Sequence, residues 1–530
     1  MLTDAAGCSS CGQPMLEETL FTSTTPHTGA GEENGRPDHC RKRLWDRTLL
    51  DALLLFALFA FVCAVSLRPG ASMDEDLWWH LRTGDWIRTN SAIPVHDTFA
   101  AATSGRPWVA YTWLFDVLVS KTYAAFGLHG ILALTTLLVL AFIAVVVALL
   151  SRNGNIPRAS GLGALVFIAV IPLISPRPWL VSCIFFAVEL YLLLQARERG
   201  RVLWLLPLLP LFILWANLHI QFVYGLGIIG MFAMEGSLAT LLNIKFSQSK
   251  LRVGCYWALL FGAVAGTLAN PYGWRLYTVV YRYAMQSAPL GLIQEMQALR
   301  FRSISDWTTL VLVCSAFFSI GRGRRNSLLM ISLLLVSVSF SFRAGRDVWF
   351  TAVISALALA SNAELSETGS ERLGSATWVS VMLASLALAS FVFESAGLSP
   401  TALAAAASKR FPVDASAYIE SHDMKTPLYN SFGWGGYLMW RLQRMPVSID
   451  GRAELHGDTR LTRFVKTWTG KRDWAGDTEL MNANTILLER DSSLTSILRS
   501  DARFRLVYDD DIATVFEPAR PHEPMVPDRP

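Results

Sequence analysis

Three consecutive carboxylates, Asp74, Glu75 and Asp76, directly follow the first long apolar run of the chain. Charged side chains close to hydrocarbon are costly and usually serve a function. Closely spaced carboxylates repel one another, which can raise the pKa of one of them and suit it to general-base catalysis. A pair such as Asp74 and Asp76 could also hold Mg²⁺ or Mn²⁺ through oxygen ligands, although the acidic triplet alone does not establish a cofactor.

Aromatic and basic residues surround this triplet. Trp78, Trp79 and His80 follow it at once, and Arg106 lies further along the same polar segment. Tryptophan and histidine rings suit the membrane interface, and they could equally stack against a sugar ring. The alternative is a solvated acidic turn beside an aromatic belt. Because the segment is dense in Trp, His, Arg and Pro and leads into an amphipathic stretch at 108–128, we predict that these four residues bind substrate.

Several arginines occupy positions where a phosphate group could be bound, at the predicted outer ends of apolar runs: Arg177, Arg275, Arg282, Arg343 and Arg346. The planar guanidinium donates two parallel hydrogen bonds to a phosphate. Alternatively, such an arginine extends to the lipid headgroups. We predict Arg343 and Arg346 as substrate-binding residues, because basic residues are otherwise scarce on this face. His219 could orient a substrate hydroxyl or satisfy a backbone carbonyl.

The elements that must position these residues are apolar helices. Of all residues, 52% are hydrophobic and 17% are charged, whereas soluble proteins carry about 25% charged residues. A membrane-spanning helix needs roughly 20 mostly apolar residues. About eleven runs qualify as candidate spans: 48–68, 130–150, 159–176, 178–196, 202–217, 219–240, 253–270, 307–320, 326–342, 346–361 and 375–396. The sequence therefore predicts an α-helical polytopic membrane protein.

The distribution of basic residues predicts the topology. Arg41, Lys42, Arg43 and Arg47 precede the first span, and further basic clusters recur in alternate links. Lys and Arg are enriched in cytoplasmic loops, so the N-terminus is expected in the cytoplasm. An odd number of spans then places the C-terminal region outside, on the same face as the loop at 69–129. The net charge of +4 gives no indication of nucleic-acid binding.

Four regions are predicted along the chain. Residues 1–47 form a cytoplasmic leader, expected to be disordered, and residues 48–397 form the transmembrane domain with its outer loop 69–129. Residues 398–517 form an extracytoplasmic α/β domain, and 518–530 a loose tail. Strands are predicted at 427–430, 446–450, 484–489, 503–508 and 512–517. This domain could present an acceptor or serve as a scaffold. In the leader, Cys8 and Cys11 could contribute to a zinc site, the alternative being a disordered tail.

These residues and their arrangement resemble the GT-C superfamily of polytopic glycosyltransferases. The shared features are a cytoplasmic N-terminus, acidic residues directly after the first span, interfacial helices in that loop and an outer C-terminal domain. The segments 74–84, 217–219, 270–275 and 449–452 look like those of a bacterial branch of the superfamily. The resemblance implies a protein of the bacterial inner membrane that takes a sugar from a polyprenyl-phosphate donor. It implies inverting transfer of a hexosyl or pentosyl group to a glycan, lipid or protein acceptor, with Asp74 or Asp76 as base.

Two other function classes remain open from the sequence. A transporter or flippase also has many spans, but such proteins often show internal repeats and polar sites near the bilayer midplane. Here no repeat is evident, and the polar residues concentrate at one predicted face. A protein of the same fold could also bind glycan or lipid without catalysis, since fold does not imply function.

Overall fold

The computed structural model describes residues 36–242, 249–322, 327–361, 375–395 and 398–519. The chain forms two compact units, Met1–Leu49 and Leu50–Pro530. In the first unit, only the beginning of helix α1 lies within the described residues. Cys8 and Cys11 lie outside them, as does most of the predicted leader. Helix α1 begins at Arg36, before the predicted end of that leader.

Fourteen helices precede residue 398 in the described ranges. They are α1 (Arg36–Ser66), α2 (Leu77–Asn90), α3 (Trp113–Leu150), α4 (Ile156–Val170), α5 (Trp179–Arg199), α6 (Leu208–Leu218), α7 (Phe222–Leu241), α8 (Val253–Thr267), α9 (Arg275–Met285), α10 (Ala288–Leu292), α11 (Ile304–Arg322), α12 (Leu328–Arg343), α13 (Val348–Ser361) and α14 (Ser375–Ser395). Each of the eleven predicted apolar runs contains one of these helices.

Six helices of the described ranges are long and apolar enough to cross a membrane: Thr48–Ser66, Trp113–Asn153, Ile156–Leu173, Trp179–Arg199, Phe222–Leu241 and Ile304–Arg322. Shorter apolar helices lie at Val202–Leu218, Val253–Thr267, Leu328–Arg343 and Thr377–Val392. Helix α13 is shorter still and is buried along almost its whole length, as expected for a helix that is apolar on every side. The chain is thus a multi-pass membrane protein by the length and composition of its helices.

Much of the predicted outer loop 69–129 is helical. It contains α2, and its amphipathic end continues into the next apolar run as the single helix α3. Gly127 interrupts α3 with φ 60° and ψ −150°, a conformation that glycine adopts without the steric cost of a side chain. The kink separates an amphipathic first part from the apolar second part.

The C-terminal region is an α/β unit. Its elements are α15 (Pro400–Ser408), α16 (Val413–Ser421), β1 (Leu428–Asn430), α17 (Gly435–Arg441), α18 (Ala453–Trp468), α19 (Thr478–Met481), β2 (Thr485–Glu489), α20 (Ser493–Ser500), β3 (Phe504–Asp509) and β4 (Ala513–Pro518). The sheet has the order β1-β2-β4-β3. Strand β1 is parallel to β2, and the other pairs are antiparallel.

The prediction of a strand at 446–450 is wrong. Val447 forms an isolated bridge with Ala100, in the segment after α2. The Ala101 amide donates to the Val447 carbonyl at 2.9 Å, and the Val447 amide donates to the Phe99 carbonyl at 3.2 Å. The backbone partners of this extended segment therefore come from the loop region, so it does not join the sheet.

The loop after α1 and the C-terminal region share one hydrophobic core. Trp78 of α2 packs against Phe411, Tyr437 and Trp440, with ring centroids 5.3, 5.0 and 4.8 Å away. The boundary predicted near residue 398 is therefore not a break in packing. The C-terminal region packs directly against the loop after α1.

A buried ion network joins the same two regions. Arg452, only 1% exposed, donates from Nη1 to Asp97 at 2.8 Å. It also donates from Nε and Nη2 to the two oxygens of Asp450, at 2.9 and 2.8 Å. A buried charge is tolerated only when it is paired and hydrogen-bonded. The network thus fixes the segment 94–108 against residues 447–456.

Candidate active site

A cavity of about 860 Å³ opens between the loop after α1, the α4–α5 turn, the segment after α10 and the C-terminal region. Its polar lining includes Asp74, Asp76, Arg177, His219, Glu295 and Arg346. Part of the wall is apolar and comes from the ends of the transmembrane helices, including Leu173 and Val348. The cavity therefore offers both charged groups and hydrocarbon contact.

Three carboxylates converge on Arg177. Its Nε donates to both oxygens of Asp74 at 2.7 and 2.8 Å, and its Nη1 donates to Glu295 at 2.7 Å. The same Nη1 lies 2.9 Å from Asp76 Oδ2. Arg177 stands between Pro176 and Pro178, and Pro178 directly precedes α5, where the fixed backbone angle of proline suits the start of a helix. The turn thus presents the guanidinium to the acidic loop.

The carboxylates of this cluster differ in their environments. Asp74 accepts a further hydrogen bond from the Asp76 amide at 2.8 Å, so both its oxygens are engaged. Burial raises the pKa of Asp76 to about 7, with Asp74 and Glu295 adding to the effect and Arg177 opposing it. Burial disfavours the charge of Arg177, but Asp74, Asp76 and Glu295 raise its pKa above the ordinary value. The pKa of Asp76 is thus raised towards neutral pH within this cluster.

Glycines of the C-terminal region allow the acidic loop to approach. A Cβ on Gly451 would stand 2.1 Å from Asp76 Oδ1, and one on Gly433 would stand 3.0 Å from a Glu75 oxygen. Both distances are shorter than an ordinary van der Waals contact. Glu75 also faces Arg410 at 3.4 Å. Absence of a side chain at Gly451 is therefore a condition for the observed position of Asp76.

The cavity lining also includes two tyrosines and Arg346. Tyr111 and Tyr283 share a hydrogen bond of 3.1 Å, and the Tyr283 hydroxyl donates to Glu454 at 3.1 Å. Burial raises the pKa of both phenols, so both stay protonated. The Arg346 guanidinium lies 5.8 Å from the Tyr283 ring centre. Within the described part of the chain, its Nε has no acceptor.

Two histidines line the cavity in the neutral form. His219 Nδ1 lies 2.8 Å from Ser182 Oγ, and burial together with Arg346 lowers its pKa to about 3. His80 Nδ1 lies 2.6 Å from Asp116 Oδ1, and burial lowers the pKa of His80 well below its usual range. One nitrogen of each ring is thus engaged by the protein.

The structure brings together most of the residues predicted from the sequence, but not all. Asp74, Glu75, Asp76, Trp79, His80, His219 and Arg346 line the cavity. Trp78 is buried in the shared core, since neighbouring positions of α2 face in different directions. Arg106 and Arg343 are exposed and lie outside the lining. Arg177, one of the five arginines considered as candidates for a phosphate site, instead binds the carboxylates.

Sequence reasoning did not single out Glu295, Tyr111, Tyr283, Glu454 or Arg410 as site residues. In the segment 271–306 the sequence analysis considered Arg275 and Arg282 as phosphate candidates, whereas the amphipathic pattern of α9 could also have drawn attention to Tyr283. Glu454 and Arg410 come from the C-terminal region, and nothing local in the sequence relates them to the acidic loop.

The fit of a divalent cation can be tested on the same contacts. Asp74 and Asp76, the predicted ligands, are bound to Arg177. Among the described residues, no group of three or more His, Cys, Asp or Glu side chains is arranged to hold a metal ion. The carboxylates as placed do not fit a cation, because a guanidinium stands where it would bind.

The chain is similar in architecture to an archaeal oligosaccharyltransferase. One solved structure is that of AglB from Archaeoglobus fulgidus with an inhibitory peptide and a dolichol-phosphate. It has a TM-score of 0.47 at 12% identity, covering 83% of this chain and 69% of that one. The apo form of the Archaeoglobus fulgidus enzyme gives a TM-score of 0.47 at 13% identity, with the same coverage. At these values the likeness carries no statement about activity.

No protein-family model matches the chain, and no curated protein does. Any function must therefore be inferred from the geometry of the chain itself.

Proposed function

We propose that the protein is an inverting membrane glycosyltransferase that moves a sugar from a polyprenyl-phosphate donor to an acceptor. The observation that carries this proposal is that Asp76 and Arg346 line one and the same cavity. Glycosyl transfer from a phosphate needs both an acceptor of protons and a cationic group for the departing phosphate.

Asp76 is the proposed base. Its pKa of about 7 lies near the operating pH, which is the favourable range for a general base. It removes the proton from the acceptor nucleophile, whose electron pair forms the new bond to the anomeric carbon. The bond from that carbon to the phosphate oxygen breaks on the opposite face, and the phosphate leaves with the bonding electron pair. Asp74 and Glu75 position the loop.

Arg346 is the proposed ligand of the lipid phosphate. It follows α12 by a short turn and lies beside the apolar part of the wall formed by Leu173 and Val348. A polyprenyl chain would contact this hydrocarbon while its phosphate meets the guanidinium. Trp79 lines the same cavity, and its indole ring is proposed to pack against the sugar ring.

The cavity is proposed to face the outside of the bacterial inner membrane. The support is the basic cluster in the first part of α1, ahead of its apolar span, which favours a cytoplasmic N-terminus. The loop after α1 then lies on the other side, together with the C-terminal region that packs against it. A glycan, a lipid or a protein on that side would serve as the acceptor of a hexosyl or pentosyl group.

The test uses purified protein in lipid nanodiscs with a panel of polyprenyl-phosphate sugars. Donor consumption and product formation are measured for wild type, Asp76→Asn, Arg346→Ala and Arg343→Ala. Arg343 is a matched control, since it is a nearby arginine that lies outside the cavity. We expect Asp76→Asn to abolish transfer, Arg346→Ala to raise KM for the donor, and Arg343→Ala to behave as wild type.

Equal activity of Asp76→Asn and wild type would refute the role of the base. Binding of every donor without consumption by wild type would contradict the enzyme and favour a transporter or a binding protein. Equal loss in Arg343→Ala and Arg346→Ala would contradict the phosphate site.

A further inference from the structure

The carboxylate cluster contains its own cation. Arg177 makes approaches of 2.7 Å to Asp74, 2.9 Å to Asp76 and 2.7 Å to Glu295. Three negative groups thus share one guanidinium at hydrogen-bond distance. Carboxylates packed this closely repel one another unless a positive charge stands between them.

The position of this guanidinium is well defined by its surroundings. The side chain is 14% exposed, and its guanidinium carbon lies 4.9 Å from the centre of the Trp179 ring. Pro176 and Pro178 flank it in the chain and restrict the backbone. A guanidinium also keeps its charge at any physiological pH, and its planar donors match carboxylate oxygens.

We propose that Arg177 is the resident cation of this cluster and takes the place that a divalent metal ion would occupy. It acts as a positioning residue that holds Asp74, Asp76 and Glu295 together. The consequence for catalysis, which rests on the proposed function, is that sugar transfer by the wild-type protein does not require Mg²⁺ or Mn²⁺.

The proposal predicts a gain of metal binding on removal of the arginine. Without Arg177, three carboxylates from two segments, Asp74 and Asp76 of the acidic loop and Glu295, would face one another with no positive group between them. Hard divalent cations bind oxygen ligands of this kind. The vacated position in Arg177→Ala is therefore expected to take up a cation.

The first experiment measures Mn²⁺ binding to the full-length protein in nanodiscs by electron paramagnetic resonance. The proteins are wild type, Arg177→Ala, the double variant Arg177→Ala/Asp74→Asn, and Arg343→Ala as a control. We expect one Mn²⁺ per chain in Arg177→Ala, bound at least about tenfold more tightly than by wild type. The additional Asp74→Asn change should abolish it, and Arg343→Ala should bind as wild type does.

Stoichiometric Mn²⁺ binding by wild type that disappears in Asp74→Asn would overturn the proposal. That outcome is measurable even where Arg177→Ala does not fold. A folded Arg177→Ala that binds no more Mn²⁺ than wild type would overturn it too.

The second experiment measures donor turnover in a chelator and with added Mn²⁺. Wild-type transfer that is unchanged by EDTA supports the proposal, and transfer that is lost in EDTA and restored by Mn²⁺ contradicts it. Rescue of transfer in Arg177→Ala by Mn²⁺, with no effect of Mn²⁺ on transfer by Arg343→Ala, would add support. Where wild type turns over no donor at all, the proposed function fails while the Mn²⁺ binding measurement still decides the role of Arg177.

Discussion

Replacing Arg452 by methionine removes the centre of the buried network that joins the loop after α2 to the C-terminal region. Losing one partner of a buried ion pair costs about 3–5 kcal/mol, since the remaining charge is left uncompensated. Methionine keeps much of the volume and the apolar contact with the Trp108 ring, which lies 4.7 Å from the guanidinium carbon. The loss is therefore chiefly electrostatic.

The hydrogen bonds that Asp97 and Asp450 keep after the substitution place the expected loss of stability at the lower end of this range. Asp97 also accepts from the Phe99 and Ala100 amides at 3.1 and 3.3 Å, and from Thr103 Oγ1 at 2.5 Å. Asp450 still accepts a hydrogen bond from the backbone amide of residue 452 at 2.9 Å. We expect a destabilisation of about 3 kcal/mol, equivalent to a change of roughly a hundredfold in the local opening equilibrium.

Hydrogen exchange measured by mass spectrometry in nanodiscs checks this value. Amides of Ala101 and Val447, which hold the bridge between the two regions, should exchange roughly a hundredfold faster in Arg452→Met. The control is Arg505→Met, whose partner Glu517 lies at 2.7 Å from a guanidinium that is 68% exposed. Exposed pairs contribute at most about 1 kcal/mol. An increase of less than about fivefold in the exchange rate of these amides in Arg452→Met would refute the reasoning.

The environment of Asp450 predicts how pH affects the stability of Arg452→Met relative to wild type. Burial would raise the pKa of Asp450, but Arg452 and His456 lower it well below its usual range. A lowered folded-state pKa contributes stability above the unfolded-state value, and this stability is lost as pH falls through the folded-state value. In Arg452→Met the buried carboxyl can be protonated instead. The difference in unfolding free energy between wild type and Arg452→Met should therefore shrink as pH is lowered towards about 4. A difference that grows would contradict this reasoning.

Three further predictions concern the site and the shared core. Asp76, the proposed base, has a pKa raised to about 7, so kcat/KM for transfer should rise with pH through about 7 and then level off; a rate independent of pH between about 5 and 9 would exclude this base. Gly451→Ala should abolish transfer, since its Cβ would stand 2.1 Å from Asp76 Oδ1, whereas Gly476→Ala has nothing within 4 Å and should be neutral. Similar activities would contradict the close approach. Trp78→Ala removes a ring packed on Phe411 and should cost about 3–5 kcal/mol in unfolding, measured by thermal denaturation in detergent; an unchanged midpoint would show that Trp78 is not a core residue.

Much of the architecture follows from local properties of the chain. Every predicted apolar run contains a helix, because runs of apolar residues without breaking signals satisfy their backbone hydrogen bonds only in this form. The acidic triplet was recognisable as a site because its charge lies directly after such a run. His219 and Arg346 were also found from their positions at the ends of apolar runs, and both line the cavity.

Contacts between distant segments decided the rest. Trp78 and Trp79 are adjacent in the sequence, but successive residues of a helix point about 100° apart, so one packs in the core and the other faces the cavity. The segment 446–450 has the composition of a strand, yet its backbone pairs with residues 99–101.

The sequence by itself determined that the apolar runs are helical and where charge meets hydrocarbon, since both depend on composition and spacing. Only the tertiary structure decided which charges meet. Arg177 pairs with Asp74 across 103 positions and with Glu295 across 118. The energy of such a pair depends on distance and burial, and neither is encoded in any one segment.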